Sequence, residues 1–280
     1  MSNPFNIKSV TKLKEIAKNI RIDIVKSLAE AGSGHLGGSL GLADVFTSLY
    51  FNELNHNPQQ PEWEGRDRLI LSIGHVNPVL YTTLAYTGYF DKKELITLRK
   101  LGSRLQGHPG KEKGIPGLEI SSGSLGQGLS IAVGLALSIK YDKKQNRIFV
   151  VMGDGELQEG SVWEAAMSAA QYKLDNVIAI VDRNDKQIDG NTSEVMNLEP
   201  LYNKWEAFGW HVINCDGNDF ESLFNAYKEV GKVNNKPHVI IAKTVMSKGV
   251  KSIEGDYKWH GKVPAKEQVE GFIGEIKFGV

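Results

Sequence analysis

Between Arg147 and Lys243 four short runs rich in β-branched residues alternate with segments of helical spacing. The runs are Arg147–Met152, Val177–Asp182, His211–Cys215 and His238–Lys243, separated by Val162–Gln171, Leu198–Phe208 and Asp219–Val230. Strands alternating with helices require crossover connections, so the pattern predicts an α/β fold: a mainly parallel sheet with helices on both faces. Asn218 and Glu221 read as a capping box for the last of these helices. In such sheets ligands sit beyond the carboxyl ends of the strands, so residues just after the runs carry the functional information.

Upstream, apolar residues at Val10, Leu13, Ile16, Ala17, Ile20, Ile24 and Leu28 predict a helix to Ala31, with Gly32 placed to stop it. A second helix is expected over Leu40–Asn52, a strand over Arg68–Ile73 and a helix over Asn77–Tyr89. Asp91 reads as the next cap, with Glu94 three residues on. Leu125–Ile139 is apolar on every face, which demands cover on all sides, from the domain or from another subunit. No internal repeat or low-complexity linker divides the chain, so residues 1–280 are read as one domain with a helical N-terminal approach.

Lys plus Arg equals Asp plus Glu, 33 against 33, which leaves no net field for nucleic acid or an acidic membrane. No apolar run approaches the ~20 residues of a membrane helix, and the N-terminus has no signal-peptide pattern. One cysteine, Cys215, excludes an internal disulfide framework, and the expected location is cytoplasmic.

Two glycine patterns need separating. Gly32-Ser33-Gly34-His35-Leu36-Gly37 spells GxGxxG, but a dinucleotide fingerprint lies between strand and helix, and here a helix precedes it. Gly153-Asp154-Gly155 does follow a strand. Thirty residues on from Asp154, the next strand ends in Val181-Asp182-Arg183-Asn184. Adjacent parallel strands would present Asp154 and Asn184 together. With a backbone carbonyl near Lys186 they offer hard oxygen donors for Mg²⁺, leaving positions for a diphosphate and water. A helix beginning after Gly155 would aim its N-terminal amides at that diphosphate.

This pair of motifs resembles the thiamine-diphosphate signature, and Gly153-Asp154-Gly155-Glu156-Leu157-Gln158-Glu159-Gly160 is similar to its transketolase form. The resemblance extends along nearly the whole chain. Gly34–Ser39, Gly74-His75 and Gly107-His108-Pro109 resemble the family's three histidine loops. Gly123–Gly128 resembles the loop lining the cofactor, and Ile188-Asp189-Gly190 follows the metal asparagine as in the family. Two departures are local: Ser124 stands where many transketolases have proline, and Tyr257–Gly261 lacks the usual paired histidines around His260. A third is larger, because the pyrimidine-binding domain with its activating glutamate, and the domain after it, are missing.

The resemblance implies a transferase that moves a two-carbon ketol unit from a ketose phosphate to an aldose phosphate. It implies Mg²⁺ held by Asp154, Asn184 and Lys186, and thiamine diphosphate bound by His75, Gly123, Ser124, Leu125, Gly155 and Asn184. His35, His108 and His260 would act on sugar hydroxyls as acid–base groups. A separate C-terminal transketolase subunit would complete the site, in a two-plus-two assembly. The alternatives are a subunit of a deoxyxylulose-phosphate synthase-like ketolase and a non-catalytic scaffold. His56, His211 and His238 have bland settings that suggest surface or capping roles. Lys243 reads as structural, and Lys140–Lys144 as a solvated helix end.

Overall fold

The computed structural model describes residues 3–279. Its centre is a five-stranded sheet of β1 (Arg68–Leu71), β2 (Ile148–Gly153), β3 (Val177–Arg183), β6 (His211–Asp216) and β7 (His238–Lys243). The spatial order is β1-β2-β3-β7-β6, and every neighbouring pair is parallel. A two-stranded hairpin, β4 (Lys186–Gln187) with β5 (Gly190–Asn191), stands outside it and leads into the single turn α7 (Thr192–Val195).

The period of two along the central strands sorts side chains into two cores. Phe149, Val151, Ile178 and Ile180 face one core; Val150, Met152, Ala179 and Val181 face the other. The first core is closed by α1 (Val10–Ala31), α2 (Leu36–Gly41), α3 (Ala43–Ser48), α4 (Asn77–Tyr86), α9 (Phe220–Val230) and α10 (Val269–Phe278). The second is closed by α5 (Gly128–Tyr141), α6 (Gly160–Gln171) and α8 (Leu201–Ala207). Burying one large aliphatic side chain contributes about 1.5–3 kcal/mol, so these two layers carry the fold.

The first helix matches its sequence reading. Ser9 Oγ accepts the Lys12 N–H, and Gly32 closes α1 at φ +68°, returning its N–H to the Leu28 carbonyl. Elsewhere boundaries shift. The expected helix Leu40–Asn52 is a chain of shorter turns, α2 and α3 meeting at Leu42 and a π-turn following over Leu49–Glu53. Leu198–Phe208 becomes helical only at Leu201, because the residue before Pro200 is disfavoured in helical geometry. The apolar segment expected from Leu125 starts at Gly128; residues 123–127 form a loop. After Asp91 comes a 3₁₀ turn, with Asp91 accepting the Lys93 N–H.

The capping box at Asn218 is corrected. Asp219 caps α9 by accepting the Ser222 N–H. Asn218 instead donates to the Gly41 carbonyl and Asp44, and accepts the Val245 N–H.

Candidate active site

The carboxyl ends of β2 and β3 bring the two separated motifs together. Gly153 stands opposite Asp182 in the parallel register, and the Asp154 N–H donates to the Asp182 carbonyl at 3.2 Å. Asp154 is 2% exposed. Its Oδ1 accepts the Gly155 N–H at 2.8 Å; its Oδ2 accepts the Asp185 N–H at 2.7 Å and Arg183 Nη1 at 3.2 Å. Burial pushes its carboxyl up to about 6 despite those donors. Asn184 Oδ1 accepts the Lys186 N–H, while Asn184 Nδ2 donates to Asp182 Oδ2 at 2.9 Å. Asp182 is buried, bonded to the Thr244 hydroxyl, and burial together with the Asp154 charge pushes it up to about 7. No α-helix starts directly after Gly155: a 3₁₀ turn covers Gly155–Gln158 and α6 begins at Gly160.

Glu156 ties three distant loops into one wall. Its Oε1 accepts the Ser72 hydroxyl and the Gly126 N–H, and its Oε2 accepts the Gly153 N–H. Burial raises its pKa. Ser72 in turn accepts the Gly128 N–H at 3.0 Å, fixing the start of α5. Gly74 and Gly123 cross so closely that a Cβ on Gly74 would stand 2.8 Å from Gly123 N. Only glycine fits there.

Three imidazoles gather beside these loops. His35 directly precedes α2 without capping it through its side chain, His75 lies in the 3₁₀ turn Gly74–Val76, and His260 follows the turn Tyr257–Trp259. Ring centroids are 4.7 Å apart for His35–His75, 5.2 Å for His75–His260 and 5.7 Å for His35–His260. Burial, reinforced by the neighbouring imidazoles, lowers His75 to about 3 and His35 to about 4. Burial also lowers His260 and His108. The ring of His108 lies under Gly123, whose Cβ would come 3.1 Å from it. Arg99 lays its guanidinium over Gly107, and its charge adds to the lowering of both His35 and His108.

A cavity of about 220 Å³ runs between these groups. His75 and His260 line one part, Asp154, Asn184 and Lys186 another, with Leu125 among the apolar residues of its wall. Ser124 is exposed and outside the lining. The buried Nδ1 atoms of His35 and His260 have no hydrogen-bond partner, and such atoms call for a polar ligand. Among the described residues no three His, Cys, Asp or Glu side chains are placed to hold a metal. The Asp154 carboxylate and Asn184 amide that line the cavity are hard oxygen donors, the kind that suits an ion taking its remaining ligands from phosphate and water, as Mg²⁺ does. The residues fit that ion and a diphosphate beside it.

The structure gathers Asp154, Asn184, Lys186, Gly155, Leu125 and the four histidines of the glycine-flanked and Trp259-His260 motifs at one end of the sheet. Sequence reasoning missed roles for Asp182, Arg183, Glu156, Ser72 and Arg99. The signals were present, since Asp182 and Arg183 end β3 directly before Asn184 and Glu156 follows Gly155, but most of their partners are remote in sequence. The bland histidines are corrected. His56 is buried between Tyr50 O and Tyr89 OH, and His238 is buried with its Nδ1 3.1 Å from His211 Nδ1. That pair begins β6 and β7, at the opposite end of the sheet. Lys243 is exposed.

Residues 12–278 match the family described as "Transketolase, thiamine diphosphate binding domain". The chain is 44% identical over 253 residues to an apulose-4-phosphate transketolase subunit of Phocaeicola vulgatus, covering 90% of this chain and 89% of that one. It is 40% identical over 265 residues to a 6-deoxy-6-sulfo-D-fructose transketolase subunit of a Clostridium species, covering 95% and 96%. Among solved structures, the transketolase of Campylobacter jejuni superimposes with a TM-score of 0.90 at 36% identity, over 96% of this chain and 43% of that one. The chain thus spans less than half of that structure and about nine-tenths or more of the two relatives named as transketolase subunits.

Proposed function

The chain belongs to the transketolase family through its thiamine diphosphate-binding domain, and from that premise we propose that it works as the diphosphate-binding subunit of a two-subunit transketolase. The proposed reaction moves a two-carbon ketol unit from a ketose phosphate to an aldose phosphate. One observation carries the reading: a buried carboxylate and an amide at the ends of adjacent strands share a cavity with His75 and with His260, whose buried Nδ1 lacks a partner.

In this reading Asp154, Asn184 and the Lys186 carbonyl hold Mg²⁺. His75, Gly123, Ser124, Leu125, Gly155 and Asn184 bind thiamine diphosphate. The bound cofactor supplies carbanion stabilisation. The protein orients and manages protons. His35, His108 and His260, neutral at pH 7 because burial lowers each, accept from or donate to sugar hydroxyls at their ring nitrogens. Apolar walls at Leu125 and Ile73 keep water from the reacting end.

A second subunit completes the site. Both of those relatives are named as transketolase subunits, and α5 gives a physical reason. Leu129, Ala132, Val133, Ala136 and Ile139 are buried, but Ile131 is 37% exposed and Leu135 and Leu137 are only half-covered. That apolar stripe needs a partner, and a two-plus-two assembly supplies one with closed symmetry. The scaffold alternative leaves unexplained why buried Nδ1 atoms and a buried carboxylate are kept in register. Among the described residues no helix is long and apolar enough to cross a membrane; a cytoplasmic location is part of the proposal. The test is ketol transfer by this chain mixed with its partner subunit, together with calorimetry of Mg²⁺-dependent cofactor binding. Absence of both would end the reading.

A further inference from the structure

Fourteen residues lie between Asn184 and Glu199, and little hydrophobic burial holds them. Residues 193–197 are all exposed, and Ile188 and Met196 are 58% and 59% exposed. Yet this segment carries Asn184 and Lys186, two of the three proposed metal donors. Something polar must hold it.

Arg183, the last residue of β3, has the geometry for that task. Its side chain is only 13% exposed. Nη1 reaches Asp154 Oδ2 at 3.2 Å, Thr192 Oγ1 at 3.0 Å and Asp185 Oδ1 at 2.8 Å; Nη2 reaches Glu199 Oε1 at 2.9 Å. One planar fork thus joins the end of β2 to the start, middle and end of the segment. The contacts continue outward. Thr192 N–H donates to the Asp185 carbonyl, and Glu199 Oε2 accepts the Leu201 N–H at the start of α8. Asp185 takes φ +61°, a left-handed conformation that a non-glycine residue holds only when its surroundings fix it. Other polar ties, Gln158 on Met196 O and Gln187, Lys204 on Leu198 O and Asn184 on Asp182, each reach one part of the segment and none touches Asp154.

Charge points the same way. Asp154, Asp182, Asp185 and Glu199 converge here, and Arg183 is the cation bonded among them. It approaches Asp154 on Oδ2, alongside the Asp185 N–H. Oδ1, which accepts one N–H from Gly155, retains acceptor capacity.

We propose that Arg183 is a positioning residue for the metal-binding loop: its four-way contact holds residues 184–199 in a receiving arrangement before metal and diphosphate arrive. The inference rests on the proposed function for the identity of the ligand, not for the contacts. Pre-ordering raises affinity because a ligand binds only the competent fraction of the protein. A charge alone would not suffice; the planar fork is what reaches four oxygens at once.

The experiment compares wild type with Arg183→Met and Arg183→Lys. Amide hydrogen exchange is read without cofactor and at cofactor saturation, and thiamine diphosphate affinity is read across a Mg²⁺ titration of the assembled enzyme. For Arg183→Met, exchange over 184–199 should accelerate roughly tenfold or more. Cofactor affinity should fall about tenfold, with exchange returning to the wild-type level at saturation. Arg183→Lys should recover only a minor part of both. Unchanged exchange, increased affinity, or full rescue by lysine would each overturn the proposal; the second would mean the guanidinium competes with the metal. If wild type itself binds no thiamine diphosphate, the proposed function fails and the metal-loading role falls with it, whereas normal wild-type binding with an unaltered Arg183→Met isolates the failure to this inference.

Discussion

Asp154 and Asp182 are buried carboxylates at the ends of adjacent strands, joined by the Asp154 N–H to Asp182 carbonyl bond. Burial holds both groups above the usual carboxylate range, and the Asp154 charge adds to the raising of Asp182. Such a pair is held at a cost that a bound cation relieves. The relation predicts that Asp154→Ala abolishes Mg²⁺-dependent thiamine diphosphate binding with the fold retained. Calorimetry, with circular dichroism as the control for folding, reads the outcome; unchanged cofactor affinity defeats the assignment of Asp154 as the charged metal donor.

His35 and His108 are proposed to serve the sugar. Alanine at either should lower turnover by roughly 10²–10⁴-fold, while cofactor affinity stays near wild type. An equally large fall in cofactor affinity shows that the roles are misassigned.

Glu156 is expected to matter for structure more than for chemistry. Its carboxylate accepts from Ser72, Gly126 and Gly153, all donors, so the amide group of glutamine would turn N–H toward N–H. Glu156→Gln should cost about 1–3 kcal/mol of stability and loosen the 123–128 loop. Urea denaturation measures the first. Stability equal to wild type removes Glu156 from its place as the tie between loops.

The strand–helix order, the Asp154–Asn184 pairing and the dismissal of the Gly32–Gly37 pattern were legible because each depends on local periodicity or on strand-end geometry. Asn218 shows where legibility stops. Two adjacent cap-forming residues, Asn218 and Asp219, are equivalent in sequence, and the choice is made by Gly41, Asp44 and Val245, far away in the chain. His56 and His238 illustrate the same limit, since a buried histidine is recognised by its partners. Arg183 is the sharpest case. Beside Asn184 it reads as an ordinary charged strand end, and only the folded loop gives it four oxygens.

Acid should act on the histidine cluster in a stated direction. His75 and His35 have folded values of about 3 and 4 against an ordinary 6.5. Between those values and 6.5 the unfolded chain binds protons that the folded chain refuses. The stability from keeping them neutral is therefore complete above 6.5 and is lost as pH falls toward 4, at up to about 1.4 kcal/mol per pH unit for each imidazole. Asp154 and Asp182, raised to about 6 and 7, bind protons more readily when folded and run in the opposite sense. The difference between wild type and His75→Asn isolates the imidazole. The stability of the variant relative to wild type should rise as pH falls from 7 to 4.5, followed by urea midpoints. A pH-independent difference would mean that His75 titrates alike in both states.

The final prediction concerns completeness of the site. Ring nitrogens of His35 and His260 are buried without partners, while Ile131 on α5 is exposed and Leu135 only half-covered. The chain spans 43% of the Campylobacter jejuni transketolase and about nine-tenths or more of the two relatives named as transketolase subunits. If a second subunit supplies the carboxylate that activates the aminopyrimidine ring, as the proposed function holds, cofactor bound to this chain alone would lack its acid–base partner. The purified chain is therefore expected to bind thiamine diphosphate weakly and to transfer no ketol unit, with activity appearing on addition of the partner subunit. Replacing Ile131 by aspartate should weaken that assembly, because an ionised carboxylate would be buried against an apolar surface. Light scattering and turnover, titrated together, should show mass and activity rising at the same partner ratio. Full turnover by this polypeptide alone, or Ile131→Asp assembling as tightly as wild type, would count against the two-chain site or against α5 as its interface respectively.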